Sequence, residues 1–486
     1  MKKKKRFLFA FPSLIRIFAV NMRRGFFILM TLFSVLFVMA KHVNDVQKTS
    51  YPGGKCWLYR VYLTDKKGSP FSLEKPQEFL SPRSIERRKR QGLSLDSTDL
   101  PVSPLYLNTL SERGFRVVGR SKWNNTVLLR VTSAHSLKAL KDLPFVSDIK
   151  KVFTAPDSIQ RSNRTHYHKE FNTWGETFEG FYGNAQEQIE KLNGIRLHEA
   201  GFRGQGKMIA VFDGGFMNVD RIPVMHELKL AGIADFVVPR SKNVFQEMDH
   251  GTKVLSVMAV NVPNIYVGTA PEASFLLVRC EDEATESLAE EDYWAEAAEY
   301  ADSVGVDIIN SSLGYHHYDD KTTSYKYFQQ DGETAMISHT ASMLAGKGIV
   351  HVNSAGNDGM GTWKRIGFPA DAKDILTVGA ITPQGVNAPF SSIGPTADGR
   401  IKPDVVAVGS SAAVVTGRGT IICDTGTSFA TPQVSGLVAC LWQALPDKTA
   451  LEIIELVRQS GDNVATPDNI YGYGAPDFWK AYQRGK

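Results

Sequence analysis

The sequence predicts an α/β protein with a mostly parallel sheet covered by helices on both faces, preceded by a smaller α/β domain. Two observations carry this prediction. From Ala185 onward, nearly continuous apolar runs of strand length alternate with helical patterns, which is typical of parallel sheets buried on both faces. Between Cys56 and Phe153, shorter segments follow one another in the order β-α-β-β-α-β, which suits a small two-layer domain.

The first 40 residues predict a targeting segment. Residues 22–40 read "MRRGFFILMTLFSVLFVMA", a basic start with an apolar run of about 15 residues and a small residue at the end, as in a cleaved secretory signal. A second basic and apolar stretch precedes Met22, which is therefore a candidate true start. We expect export to the periplasm or the extracellular space. An uncleaved membrane anchor is the alternative, although the run is shorter than the roughly 20 residues that span a bilayer.

Three segments follow the targeting segment. Residues 41–153, here called the front domain, contain the β-α-β-β-α-β pattern with a polar insertion between Thr64 and Leu100. Residues 154–183 are rich in Asn, Ser, His, Thr and aromatics and lack periodicity, so they are expected to be a linker in which a proteolytic cut can occur. Residues 184–486 form the large domain.

Four polar residues set among glycines mark the chemistry of the large domain. Asp213 ends the apolar run "MIAVFD", and His250 opens "HGTKVLSVMAV". Asn357 follows "HVNSAG", and Ser428 lies in "DTGTSFATPQVSG". Asp, His and Ser are the members of a nucleophilic triad, and an Asn amide can donate to an oxyanion. Taken singly, each residue has an ordinary alternative role in a turn, a core or a helix cap.

The proline four residues after Ser428 indicates where a helix begins. The first four N–H groups of a helix lack intrahelical partners, so Pro432 is tolerated near the start. The sequence predicts a helix with Phe429 as its first residue and Ser428 at its N-terminal end. The free N–H groups and the helix dipole would stabilise an oxyanion there.

The motifs "VFDGG", "HGTKV", "SAGNDG" and "GTSFATPQVSG" closely resemble those of the subtilase family of serine peptidases, whose triad comes in the chain order Asp, His, Ser. The resemblance spans roughly residues 185–480. It implies a subtilisin-like three-layer fold and a triad of Asp213, His250 and Ser428, with Asn357 as oxyanion donor.

A further segment, "INSSLG", resembles the family segment whose backbone pairs with an extended substrate. The resemblance therefore implies that Ser312, Leu313 and Gly314 bind substrate. Adding a substrate strand needs exposed main-chain donors and acceptors, which favours peptides.

Three positions depart from the family pattern. Gly214 follows Asp213 where the family usually has Ser or Thr, Ser256 stands where the His motif usually has Gly, and Gln433 where the Ser motif usually has His. None of the three is a triad residue. The hydroxyl missing at Gly214 removes a hydrogen bond to Asp213 that the family pattern allows, and Asp213 orients His250 in that pattern.

By the same resemblance, the front domain is similar to a ferredoxin-like prodomain that assists folding and then inhibits by leaving its C-terminal tail in the active-site cleft. The charges agree with such a contact. Residues 41–150 carry 20 Lys and Arg against 10 Asp and Glu, whereas residues 151–486 carry 28 against 41, and opposite charges favour docking. An independent binding domain is the alternative.

The sequence predicts no metal-ligating residues. Its four cysteines, at 56, 280, 423 and 440, are too few for a disulfide scaffold and lack metal-ligand spacing. The family resemblance makes structural calcium possible, but no "DxDxDG"-like loop occurs. The acidic run "CEDEATESLAEED" (Cys280–Asp292) is predicted to be a solvated loop and helix start rather than a metal site.

The resulting hypothesis is an exported serine endopeptidase that is made as a self-processing proenzyme. Its partners would be protein or peptide substrates and its own prodomain as intramolecular inhibitor. No nucleic-acid partner is expected, because eight of the basic residues lie in the targeting segment, and a membrane is expected to be involved only if that segment stays uncleaved. Two alternatives remain: a catalytically silent subtilase scaffold that serves as a binding protein, and an esterase that uses the same triad.

Overall fold

The structure is a computed structural model of the chain and describes residues 46–51, 54–132, 137–162, 180–238, 241 and 243–486. The predicted targeting segment, with Met22, and residues 163–179 of the predicted linker lie outside the described residues. Within the described part of the chain, no helix has the length and apolar character needed to cross a bilayer.

The chain divides into two compact units, and the smaller one contains a single described strand pair. Strand β1 (Val46–Thr49) pairs antiparallel with β6 (Ile159–Ser162), with Val46 opposite Ser162.

The larger unit begins with the β-α-β-β-α-β arrangement that the sequence predicts. Its elements are β2 (Trp57–Leu63), α2 (Pro104–Glu112), β3 (Arg116–Ser121), β4 (Thr126–Val131), α3 (Leu137–Lys141) and β5 (Val146–Thr154). The four strands form an antiparallel sheet in the order β3-β4-β2-β5. Apolar residues from its strands and helices, such as Val61, Leu110 and Leu140, form a separate core beneath it.

The polar insertion of the front domain holds a helix that the sequence analysis did not predict. Helix α1 (Pro82–Arg90) begins after Ser81, whose side chain accepts a hydrogen bond from the Ser84 N–H. Its sequence, "PRSIERRKR", has one large apolar residue. An apolar stripe therefore cannot hold this helix in place.

The large domain is built on a seven-stranded parallel sheet, which confirms the predicted fold class. Its strand order is β15-β14-β13-β12-β7-β11-β8. The strands are β7 (Met208–Asp213), β8 (Lys229–Asp235), β11 (Ser274–Arg279), β12 (Ile308–Ser311), β13 (Val350–Ser354), β14 (Leu376–Ile381) and β15 (Val405–Val408). Two short antiparallel pairs, β9 (Asn261–Val262) with β10 (Tyr266–Val267) and β16 (Ala412–Val415) with β17 (Ile421–Asp424), lie outside this sheet.

Helices cover both faces of the sheet because alternate strand residues point to opposite faces. Ile209 and Val211 belong to one core cluster, whereas Ala210 and Phe212 belong to the other. The first face carries α4 (Gln186–Glu190), α5 (Ile195–Glu199), α6 (His250–Ala259), α9 (Thr427–Ala444), α10 (Ala450–Ser460) and α11 (Phe478–Gly485). The second face carries α7 (Ala289–Val304) and α8 (Met336–Met343).

The front domain packs on the outer side of α7 and α8. The core cluster of the second face continues into the front domain through Leu58, Trp123 and Phe153, which join Trp294 and Ala298 of α7 in one apolar cluster. The two domains therefore share a continuous apolar core.

Ion pairs buried at this junction join basic residues of the front domain to acidic residues of α7. Arg60 lies between Glu291 and Asp292, with Nη2 at 3.1 Å from Glu291 Oε2 and 2.7 Å from Asp292 Oδ2. From α1, Arg87 and Arg88 pair with Asp302. All of these side chains are at most 6% exposed.

The acidic run at the start of α7 thus differs from its prediction. The expectation of a solvated helix start was wrong for Glu290 and Glu291, which are both 0% exposed. Glu291 pairs with the front domain, and Glu290 accepts hydrogen bonds from the backbone N–H groups of Asp282 and Ser287.

Candidate active site

The predicted site residues come from the carboxyl ends of adjacent strands and from two helix starts. Asp213 is the last residue of β7, and His250 is the first residue of α6. Ser312 follows β12, and Asn357 comes shortly after β13. The chain order reverses between β7 and β12, which places these residues at the switch point where open α/β sheets bind ligands.

Asp213 and His250 are joined by a hydrogen bond. His250 Nδ1 lies 2.8 Å from Asp213 Oδ2, and the Gly214 N–H donates to the other oxygen, Oδ1, at 2.9 Å. Asp213 is fully buried. Gly251 permits the close approach, because a Cβ there would lie 2.3 Å from the Gly215 carbonyl oxygen and 2.8 Å from Asp213 Cβ.

The contact between Asp213 and His250 shifts the pKa of the histidine. Burial by itself lowers the pKa of His250, but the Asp213 carboxylate outweighs burial and raises the pKa to about 9. With its proton on Nδ1 facing Asp213, a neutral His250 presents Nε2 as the proton acceptor. The arrangement fits a general base that becomes a stabilised imidazolium.

Ser428 is the second residue of α9 and is 7% exposed. Its Oγ donates to the Ser312 carbonyl at 3.3 Å, and among the described hydrogen bonds none joins it to His250. The two residues nevertheless line the same cleft, and the ring of the neighbouring Phe429 lies 5.7 Å from the His250 ring. As the second helical residue, Ser428 keeps a backbone N–H without an intrahelical acceptor.

The predicted start of this helix was wrong by two residues. Helix α9 begins at Thr427, so Pro432 is its sixth residue and lies inside the helix. At that position a proline deprives the carbonyl four residues earlier, that of Ser428, of its N–H partner. The Ser312 hydroxyl replaces the missing donor and bonds the Ser428 carbonyl at 2.9 Å. Because Pro432 frees the Ser428 carbonyl, this carbonyl can accept the hydrogen bond that links Ser428 to the segment after β12.

Thr427 orients the amide of Asn357, a role that the sequence analysis missed. The Thr427 N–H and Oγ both donate to Asn357 Oδ1 at 3.0 Å. With its oxygen held in this way, the exposed Asn357 side chain is left with its Nδ2 as the free donor group at the cleft.

The three departures from the family pattern are each accommodated locally. A Cβ at Gly214 would lie 2.2 Å from Met248 Sδ, so the methionine occupies the space of a larger side chain. Ser256 donates to the Lys253 carbonyl at 2.6 Å and accepts from the Val415 N–H at 2.9 Å. Gln433 Nε2 donates to two backbone carbonyls, those of Val408 and Phe429.

A cleft of about 410 Å³ brings the predicted residues together. Six of the seven line it: His250, Ser312, Leu313, Gly314, Asn357 and Ser428. Asp213 lies behind His250. The sequence analysis did not assign the other lining residues to the site; among them, Met248, Glu281, Glu286 and His316 belong to loops or loop ends that carry no distinctive motif.

Gly314 offers its backbone to the cleft. It is exposed, and among the described hydrogen bonds none uses its N–H or its C=O. The residues on either side are fixed: the Leu313 carbonyl accepts from Asn353 Nδ2 at 3.1 Å, and the Tyr315 N–H donates to Phe368 O at 2.8 Å. A rigid segment thus presents one unpaired peptide unit beside the serine, as main-chain recognition of an extended peptide requires.

Residues 204–474, more than half of the chain, match the family model described as "Subtilase family". The chain belongs to the subtilase family. Residues 58–169 of this subtilase match the model described as "Peptidase S8 propeptide domain, Bacteroidota". It is a subtilisin-like serine endopeptidase that carries a propeptide domain.

Similar curated proteins include subtilisins. Subtilisin NAT of Bacillus subtilis subsp. natto is 30% identical over 290 residues, 59% of this chain and 68% of that protein. The subtilisin of Bacillus pumilus is 30% identical over 299 residues, 61% of this chain and 98% of that protein. A thermostable alkaline protease of Halalkalibacterium halodurans is 29% identical over 297 residues, 61% of this chain and 73% of that protein.

The family resemblance makes structural calcium possible. The part of the chain that the structure describes holds no group of three or more His, Cys, Asp or Glu that could bind a metal ion.

Proposed function

We propose that this subtilase is an exported, self-processing serine endopeptidase with Asp213, His250 and Ser428 as its triad. The observation that carries the proposal is the 2.8 Å contact between His250 Nδ1 and the buried Asp213 carboxylate, at a cleft that Ser428 and Asn357 also line. Ser428 Oγ leaves its contact with Ser312 and transfers its proton to His250 Nε2 as it attacks the peptide carbonyl. His250 then donates that proton to the leaving amine.

The oxyanion is stabilised from two sides in this mechanism. Asn357 Nδ2 donates from one side, with its amide oriented by Thr427. The Ser428 backbone N–H donates from the other, at the positive end of α9. The unpaired peptide unit of Gly314, together with Ser312 and Leu313, holds the substrate main chain. This backbone binding favours a peptidase over the alternative of an esterase.

Export and processing complete the proposal. Residues 1–40 act as the signal segment, with Met22 as a candidate start, and residues 41–153 act as the prodomain. The cut falls in the linker 154–183, and residues 184–486 form the mature enzyme. The shared apolar core and the buried pair between Arg60 and Asp292 support a prodomain that stays docked after the cut.

The test compares the N-terminal masses of the purified wild type, Ser428→Ala and Ser435→Ala. Ser435 lies on the same helix and bonds Asn310 at 2.8 Å outside the cleft, so its variant is the matched control. We expect the large domain of the wild type and of Ser435→Ala to begin within the linker, and the front domain of Ser428→Ala to stay covalently attached. Full-length protein in all three samples would refute self-processing.

A serine-reactive fluorophosphonate separates the remaining alternatives. Labelling at Ser428, with hydrolysis of a peptide substrate after activation, supports the peptidase. Failure to label would instead favour a silent binding scaffold, and labelling with hydrolysis of esters alone would favour an esterase.

A further inference from the structure

A segment of the front domain contacts the large domain at the edge of the sheet opposite the cleft. The segment Ser81–Gln91, here called the clamp, consists of α1 and the residue on either side of it. Its Arg83 pairs with Asp307, which directly precedes β12. The cleft residues follow the carboxyl ends of the strands, whereas the clamp lies at the amino ends. The clamp can therefore hold the two domains together without reaching the catalytic residues.

The clamp supplies hydrogen-bond donors to the end of α7. The last carbonyl groups of a helix lack intrahelical donors. The Ser303 carbonyl accepts from the Ser81 N–H at 2.9 Å, and the Val304 carbonyl accepts from the Ser81 hydroxyl at 2.8 Å. Just beyond the helix, Arg87 Nη1 donates to the Val306 carbonyl at 2.7 Å. The clamp thus caps α7 and brings positive charge to the negative end of its dipole.

The clamp also joins segments that precede two other strands. Arg83 Nη2 donates at 2.9 Å to the carbonyl of Gly206, two residues before β7. Gln91 Nε2 donates at 2.9 Å to the carbonyl of Gly348, two residues before β13. Gln91 Oε1 accepts at 2.8 Å from the N–H of Ala450, the first residue of α10. Strands β13, β12 and β7 are neighbours in the sheet, so one short segment connects the amino ends of its central strands.

The contact between the two domains has the properties of a permanent interface. Leu58, Trp123 and Phe153 of the front domain lie in the shared apolar cluster and are at most 6% exposed. Asp302 is 0% exposed and pairs with Arg87 of the clamp. Obligate interfaces likewise resemble the core of one domain cut in half. Separation of the domains would return this apolar surface to water, which opposes release of the front domain.

The bound front domain leaves the cleft open over its described residues. All residues that line the cleft lie between Met248 and Ser428. No described residue of the front domain is among them. The interface that retains the front domain is therefore separate from the walls that receive a substrate.

We propose that the active enzyme is a two-chain complex, in which the clamp keeps the front domain bound after the linker has been cut. The front domain is then a lasting part of the mature enzyme, next to residues 184–486. Only the tail that the family resemblance places in the cleft has to leave it. The inference rests on the proposed function, because the second chain arises only from the cut in the linker.

The experiment isolates the processed wild type by size-exclusion chromatography without denaturant and labels it with a fluorophosphonate. We expect the front chain and the large chain to elute together in equal amounts, with Ser428 of the complex labelled. The rate of peptide hydrolysis per labelled site should stay constant on dilution, because no release is needed. Labelling confined to fractions without the front chain would overturn the inference, as would a rate that rises after dilution.

Variants in the full chain test the clamp itself. Arg87→Met removes the hydrogen bond to the Val306 carbonyl and the pair with Asp302, so the front chain should dissociate about tenfold faster or more. Lys89→Met is the matched control, because Lys89 lies on the same helix and is exposed; its complex should dissociate at the wild-type rate. Equal dissociation rates in the two variants would refute the role of the clamp.

A second variant covers the case in which Arg87→Met fails to fold. Arg83→Met removes contacts to Asp307 and Gly206 from a side chain that is 40% exposed, and it should also speed dissociation relative to Lys89→Met. The wild-type complex decides the inference even if neither clamp variant folds.

Failure of the proposed function would look different. A protein that stays full length and is not labelled at Ser428 lacks the proposed activity. A protein that is cut and becomes labelled only after it has lost the front chain is a self-processing peptidase without the two-chain active form.

Discussion

Replacing Arg60 with methionine should weaken the contact between the front domain and α7. Arg60 Nε and Nη2 donate to Asp292 at 2.7 to 3.0 Å, and Nη2 also reaches Glu291 at 3.1 Å and the Leu288 carbonyl at 3.0 Å. The guanidinium is 1% exposed. Methionine would fill much of the volume but leave Glu291 and Asp292 buried without the guanidinium that pairs with them, and only the weaker influence of Lys150 would remain. Breaking a buried pair in this way costs about 3–5 kcal/mol.

The loss can be measured in the Ser428→Ala background, where we expect the front domain to stay covalently attached. Trp123 is 5% exposed in the apolar cluster shared by the two domains, so its fluorescence reports their separation. With a typical urea dependence of about 1–3 kcal/mol per molar, Arg60→Met should lower the midpoint of this transition by about 1 M or more. Arg116→Met, which removes an exposed charge from β3, is the matched control and should shift it little.

Two further measurements test the reasoning rather than the size of the effect. Combining Arg60→Met with Glu291→Gln and Asp292→Asn should recover much of the stability, because neutral side chains no longer need a counter-charge. The difference in stability between Arg60→Met and the parent protein should also shrink as pH falls, because protonated carboxyl groups form no ion pair with Arg60. Burial already raises the pKa of Glu291 and Asp292 above the ordinary range. If Arg60→Met and Arg116→Met shift the midpoint equally, the pair does not hold the front domain.

Two predictions concern catalysis. Asn357→Ala should lower kcat by roughly 10²–10³, a magnitude that comes from a subtilisin, a relative of this chain; an unchanged kcat in a folded variant would remove Asn357 from the oxyanion site. The pH profile of kcat/KM should rise as His250 loses its proton, because the imidazolium cannot accept the serine proton. Burial alone would lower the pKa of His250, but Asp213 raises it to about 9, so the rise should lie above the range of an ordinary histidine, and a midpoint below 6.5 would contradict this assignment.

The parallel sheet and the residues at its edge could be predicted because they follow from local patterns. Strands buried on both faces read as continuous apolar runs, and polar residues at their carboxyl ends must face the same edge. Asp213 and Asn357 follow such runs, and His250 opens a helical one. Strand β8 gave no such signal, because "KLAGIAD" lies at the edge of the sheet and is half exposed.

Other features depend on contacts between distant segments and could not be predicted. From the sequence alone, Pro432 was placed among the first four residues of the helix, where a proline costs no hydrogen bond. Nothing local shows that the Ser312 hydroxyl donates to the Ser428 carbonyl in place of the N–H that Pro432 lacks. Helix α1 was missed for a similar reason. Its buried arginines, Arg87 and Arg88, are held by Asp302 from another domain rather than by an apolar stripe.

The acidic run at Cys280–Asp292 was interpreted as solvated because charged residues are rarely buried without partners. The rule holds at the α7 end, where Glu291 and Asp292 are buried with Arg60 as their partner. At the other end, Glu281 lines the cleft beside His250, and no ion pair involves it among the described residues. Burial and repulsion from Asp213 raise the pKa of Glu281 to about 7, whereas the charge of His250 acts against them. The rule therefore holds at one end of this segment only, because the partner of an acidic residue is set by distant segments such as β2 with Arg60, which the local sequence does not show.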